Sequence, residues 1–158
     1  MIVWCDNDDI SISSDIEPRV AVRVILPSDS DFEKLCKKKR PFINKKTIKW
    51  AILSDRMYTI TIPKNYCYDG ASIPRAFWRI IGSKESDEFL IGAMVHDYMC
   101  ENHNVIGDNR ELSSEVFKQL LLACGVSKVK ANLMHFAVNN FQRFCGWGKW
   151  WVLVLNLL

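Results

Sequence analysis

Strand signals dominate the first part of this chain, and a helical period dominates the rest. Val20-Ala-Val-Arg-Val-Ile-Leu-Pro27 has the β-branched composition of a strand and stops at a proline. Trp50-Ala-Ile-Leu53, Ser54-Asp-Arg56 and Met57–Ile62 together predict a hairpin. Its second arm sets Tyr58, Ile60 and Ile62 on one face and Met57, Thr59 and Thr61 on the other. After residue 70 the spacing lengthens. Ser72 caps a helix that Pro74 helps to start and that runs through Phe77, Trp78 and Ile81 to Gly82. A second helix is predicted over 87–101 and a third over 110–124, closed by Gly125. Ser127 caps a fourth, with Val129, Leu133, Ala137, Phe141 and Phe144 along one stripe. Strands grouped before helices predict an α+β fold, with N-terminal antiparallel strands or a hairpin packed on a C-terminal layer of three to four helices.

Composition narrows this without changing it. The 158 residues, 49% hydrophobic and 25% charged, suit one domain over 1–158 with a proper core. Within it, 50–150 is the expected core. The 1–49 region, with its strand and basic loop, either joins that core or orders on a partner. A net charge of +3 is too mild to indicate nucleic-acid binding. Lys37-Lys-Lys-Arg40, Lys45, Lys46 and Lys49 read as a solvated loop beside edge strands, with no interleaved aromatics to support RNA contact. Met1-Ile-Val-Trp-Cys5 runs straight into Asp6, Asp8 and Asp9, so no signal peptide is expected and synthesis is cytoplasmic. The six cysteines stand singly, which predicts free thiols and no zinc ribbon.

The carboxyl end, Trp150 to Leu158, is almost wholly apolar yet far shorter than the roughly 20 residues that span a bilayer. Either it packs on the core or 151–158 docks on another chain. Trp147, Trp150, Trp151, Leu153 and Leu155 are the partner-binding candidates.

Tyr68-Asp-Gly-Ala-Ser-Ile-Pro-Arg-Ala-Phe-Trp78, then His96-Asp-Tyr98, then Arg110 with Phe117 and Gly125 resemble the domain of unknown function 1353 family. The family pattern is an aspartate-x-alanine-serine-x-proline turn, a helix bearing His-Asp and an Arg-x-x-Ala-Asp helix. The resemblance covers roughly residues 50–150, and it implies a bacteriophage or prophage origin and no particular reaction. One departure matters: Ser113 and Ser114 stand where the family pattern has alanine and aspartate. If that aspartate were an essential ligand or base, this chain would lack it.

On the predicted second helix, Phe89, Leu90, Ala93 and Met94 define the buried face, and Asp97 lands near its middle. A buried carboxylate without partners is very costly, so Asp97 should be paired, strongly hydrogen-bonded or protonated. The simplest reading is a structural network of Asp69, Ser72, Arg75, Asp97 and Arg110 that staples the strand-to-helix turn to the helices. The catalytic reading places His96, Asp97 and Asp69 in a cleft, with His96 at its edge and a divalent metal as cofactor. His103 and Asp108 could join it, although their spacing matches no ligand pattern. His135 falls opposite the apolar stripe and reads as an exposed bystander.

Two functional expectations follow. The first is a phage-encoded accessory protein without a cofactor, acting by protein–protein binding as a virion component of the tail, neck or baseplate region. Its partners are other virion proteins or further copies of itself, and it moves from host cytoplasm to virion. The second is a small metal-assisted hydrolase, directed at the cell wall and centred on His96, Asp97 and Asp69.

Overall fold

The structure is a computed structural model that describes residues 1–70 and 87–145. Its strands are β1 (Ile2–Asp6), β2 (Ser11–Ser14), β3 (Val20–Val22), β4 (Phe42–Asn44), β5 (Ile48–Leu53), β6 (Met57–Ile62) and β7 (Cys67–Tyr68). Its helices are α1 (Asp31–Lys39), α2 (Asp87–Glu101), α3 (Arg110–Ala123) and α4 (Lys128–Cys145), with a 3-10 turn at His103–Ile106. The strands form two antiparallel sheets, ordered β1-β2-β5-β6 and β3-β4-β7. The fold is α+β, as the grouping of strands before helices predicts.

The hairpin is the framework of the larger sheet. Trp50 pairs with Ile60 and Ile52 with Tyr58, so Ile48, Trp50, Ile52, Tyr58, Ile60 and Ile62 all turn inward. Each buried side chain of this size contributes about 1.5–3 kcal/mol by leaving water. The first residues belong to the same sheet. β2 pairs with β5, β1 pairs with β2, and Ile10 and Ile12 join the core. Trp4 leans on Trp50 with ring centroids 5.6 Å apart and donates its indole N–H to Ser14 Oγ at 2.9 Å.

The helical side begins with α2, which is buried nearly all round: Phe89, Leu90, Ala93, Met94, Val95, Met99 and Cys100 are in the core. Gly92 lets it approach α3 closely, since a Cβ there would meet the Phe117 ring at 3.3 Å. The third predicted helix ends where expected, with Gly125 in the left-handed region at φ 89° behind the Cys124 cap. α3 packs on β1, α2 on β7, and α4 on α3.

Three expectations need correction. The strand expected over Val20–Pro27 stops at Val22, because β4 offers only three partners, Phe42, Ile43 and Asn44. Lys37–Lys39 of the basic block are not a loop but the last turn of α1, with Arg40 as its cap, whereas Lys45 and Lys46 do lie in a loop. Ser30 accepts from Glu33 N at 3.2 Å while Glu33 Oε2 accepts from Ser30 N at 2.8 Å, a capping box that starts this helix. On α4 the expected stripe holds in part: Ala137 is buried and Leu133 packs against the core, but Val129 lies exposed and the buried face also takes in Ala131, Met134, Val138 and Gln142. The helix turns this face because Met134 and Val138 belong to the shared core and Gln142 meets a polar partner on α2. The helix expected over 72–82 lies outside the described residues.

Candidate functional site

Two features stand out from the ordinary division of polar and apolar residues, one inside the fold and one on its surface. The first gathers on α2. Asp97 and Glu101 are one helical turn apart and therefore share a face. That face meets β7 and its approach, where Tyr66, Tyr68 and Asp69 follow one another at the strand end. Tyr66 Oη donates to Glu101 Oε1 at 2.8 Å, and Arg40 Nη2 reaches the same oxygen at 2.5 Å. The tyrosines stack on one another: Tyr66 and Tyr68 lie nearly parallel at 6.2 Å, and Tyr98 meets Tyr66 edge-on at 5.2 Å. The Arg40 guanidinium lies 5.8 Å from the centre of the Tyr66 ring.

The electrostatics follow from this crowding. Burial pushes the Asp97 carboxyl well above the ordinary carboxylate range, and the Asp69 charge, the Asp69 hydrogen bond and the Glu101 charge push it further. Arg40 pulls the other way and does not win. The protonated form of Asp97 is therefore favoured in the fold. Burial also raises Glu101, against the hydrogen bond from Tyr66 and the Arg40 charge. Tyr66 and Tyr68 are raised mainly by burial and then by the Asp97 charge. The chemical result is a proton-holding cluster that bonds α2, β7 and the end of α1 together.

His96 lies buried behind this cluster, not at a cleft edge. Its Nδ1 is 3.5 Å from Asp97 Oδ1, and its Nε2 is 2.9 Å from Gln142 Nε2 and 3.5 Å from Cys100 Sγ. Ser114 Oγ donates to Gln142 Oε1 at 3.0 Å, and the Phe117 ring sits 5.2 Å from the imidazole. The serine that replaces the family-pattern aspartate thus lies one amide away from His96, inside the helical layer. Arg110 does not join the Asp97 network. It donates to Asn139 O at 2.8 Å and Asn139 Oδ1 at 2.7 Å, tying α3 to α4.

The other candidates scatter. His103 Nδ1 and Asp108 Oδ1 are in contact at the exposed 3-10 turn. His135 is half-buried and 3.6 Å from Glu115 Oε2. Both line an open groove of about 600 Å³ with Asp55, Glu111 and Asn139. Among the described residues, no three His, Cys, Asp or Glu side chains are placed to hold a metal ion. Cys5, Cys36, Cys67, Cys100 and Cys124 are free thiols. Ser72 and Arg75 of the expected network, and Trp147, Trp150, Trp151, Leu153 and Leu155 of the expected docking segment, lie outside the described residues.

Sequence reasoning missed Arg40, Tyr66, Glu101 and Gln142. The four-residue spacing of Asp97 and Glu101 was a usable signal. Arg40 was hidden in a run of lysines, and nothing local marks Gln142.

The second feature is the segment from β3 through α1. No residue of α1 is buried. Val22, Val24 and Phe32 are 65%, 68% and 75% exposed, and Ile25, Leu26 and Leu35 are exposed beside them. Arg23 ties the start of the segment to the end of α1 by donating to Arg40 O at 3.1 Å and Cys36 O at 3.3 Å. Lys38 and Lys39 on α1, and Lys45 and Lys46 after β4, make no ion pair with a described carboxylate. Scattered exposed apolar residues are normal; here six of them follow one another between Val22 and Leu35, next to basic groups.

A family model described as "Protein of unknown function (DUF1353)" matches residues 47–138. The match covers more than half of the chain, which therefore belongs to this family. The chain is similar to the uncharacterized protein y4iH of Sinorhizobium fredii, 37% identical over 73 residues, or 46% of this chain and 29% of that protein. It is also similar to the uncharacterized protein y4jT of the same organism, 34% identical over 80 residues, or 51% of this chain and 23% of that protein. The matched stretch spans less than a third of either relative. No solved structure matches the chain.

Proposed function

We propose that the chain works by binding other proteins, as a structural component of a bacteriophage particle in its tail, neck or baseplate region, made in the host cytoplasm and then built into the virion. The observation that carries this reading is the exposed apolar run on β3, the following segment and α1. Phage origin rests on the motif resemblance. The buried cluster around Asp97 supports the same reading from the other side. Tyr66, Glu101 and Arg40 are engaged with one another, and His96 is closed in by Gln142, Cys100 and Phe117. Such an arrangement suits a scaffold that holds its helices in register.

The test is quantitative mass spectrometry of purified particles of the phage that encodes the chain. The expected result is a fixed copy number compatible with particle symmetry. Absence from the particles overturns the virion reading and directs attention to hydrolase activity, with His96→Ala assayed first.

A further inference from the structure

The two sheets each end in a strand whose outer edge has no partner among the described residues: β1 in the larger sheet and β3 in the smaller. Such edges are templates for another strand unless they are guarded. Their side chains differ in a complementary way. β1 exposes Met1, Ile2 and Val3 at its start, and its other end runs into the exposed acids Asp6, Asp8 and Asp9. β3 begins beside basic groups: Arg19 precedes it, and Lys45 N donates to Arg19 O at 2.8 Å, bringing Lys45 and Lys46 to the same corner. It ends at exposed Val22 and Val24. Neither the three acids nor Arg19, Lys45 and Lys46 make an ion pair within the described chain.

We propose that β1 of one copy pairs antiparallel with β3 of a second copy, joining chains head to tail. Direction and chemistry agree only in that orientation. Running antiparallel, the Asp6–Asp9 end of β1 meets the Arg19 corner, while Ile2 and Val3 meet Val22 and Val24. Parallel pairing would bring the acids to Val22 and Val24 and leave the basic corner facing Met1. The contact uses different surfaces on the two copies, so it closes into a ring or continues as a filament instead of stopping at a dimer. The bulge in β1 between Val3 and Cys5 shortens the pairing, which makes the association weak and concentration-dependent. This inference rests on the protein-binding reading above and names the partner as the chain itself.

Sedimentation of the purified full chain over a range of concentrations tests it. The expected result is a series of species beyond the dimer, and raising salt from about 0.05 M to about 0.5 M weakens their formation about tenfold through screening of the charge contacts. The triple variant Asp6→Lys, Asp8→Lys, Asp9→Lys is monomeric, and so is Arg19→Glu, Lys45→Glu, Lys46→Glu, each with a wild-type circular dichroism spectrum. An equimolar mixture of the two regains association, because each then carries the charge the other needs. A monomeric wild-type chain, salt-insensitive association or a mixture that stays monomeric overturns the proposal. Particle composition separates this failure from that of the underlying reading: reversal variants incorporated at normal copy number leave the virion role standing with a different partner.

Discussion

Asp97 and Phe32 both sit where burial rules would not put them, and for opposite reasons. The carboxyl group lies against Asp69, Glu101 and Arg40, and burial with the two like charges favours its protonated form over the opposing pull of Arg40. The aromatic ring is outside, on a helix of which no residue is buried. The interior carboxyl has polar and charged neighbours within the chain, although Tyr68 Oη of the same cluster is buried without a hydrogen-bond partner among the described residues; the Phe32 ring stays 75% exposed. Polar groups that satisfy each other act as structure, whereas apolar groups that nothing covers point to a partner.

Two neighbours in the basic block give the sharpest contrast. Arg40→Ala removes one side of the Glu101 pair and leaves a carboxyl facing Tyr66 in a part-buried setting, at a cost of up to about 3 kcal/mol. Lys38→Ala, two residues earlier on an exposed turn, should stay within about 0.5 kcal/mol of wild type. Urea denaturation of the two variants measures the difference directly. Equal effects would mean that the interior cluster is not what Arg40 serves.

The next effect depends on pH. Because the Asp97 carboxyl titrates above its unfolded value, the native chain keeps a proton that the unfolded chain has released. The stability from that proton is full below the ordinary carboxylate range and declines as pH rises toward the raised value. The slope is about 1.4 kcal/mol per pH unit while one proton separates the two states. Asp97→Asn, which is permanently uncharged, should flatten that decline and leave only the part due to Glu101, which shifts the same way. Stability curves from pH 4 to 8 that are parallel for the two proteins would remove the proton retained by Asp97 from the account.

Smaller effects belong to the surface. Ser30→Ala breaks the capping box, at about 1 kcal/mol. Since α1 buries nothing, that loss should appear as faster amide exchange across Phe32–Lys39 with no change in the global midpoint. Phe32→Ser should change stability by less than about 0.5 kcal/mol, read from the same denaturation curves. A larger loss would place the ring against part of the chain itself.

The sequence made the hairpin, the extents of α2 and α3 and the awkward position of Asp97 legible because each depends on local periodicity. Residues 57–62 alternate, 87–101 hold an apolar face, and an acid at its centre demands partners. What it left unread depends on contacts between distant segments. α1 has a capping box and no core-facing stripe, so hydrophobic patterning passes over it. Arg40, Tyr66 and Glu101 meet across 61 residues of chain between the first and the last, and Arg110 turns to Asn139, not to Asp97. The face of α4 is set by Met134, Val138 and Gln142 against other elements, and periodicity alone fits several stripes on that helix equally well.

The most direct measurement is the copy number of two variants in particles assembled without the wild-type chain. Asp97→Asn alters the interior cluster, and Val24→Asp with Phe32→Asp alters the exposed run while leaving the core untouched. The account predicts wild-type copy number for Asp97→Asn and near-absence of the double variant, with both proteins folded by circular dichroism. Particles that retain the double variant and lose Asp97→Asn would contradict it, making the interior cluster the working part of the molecule.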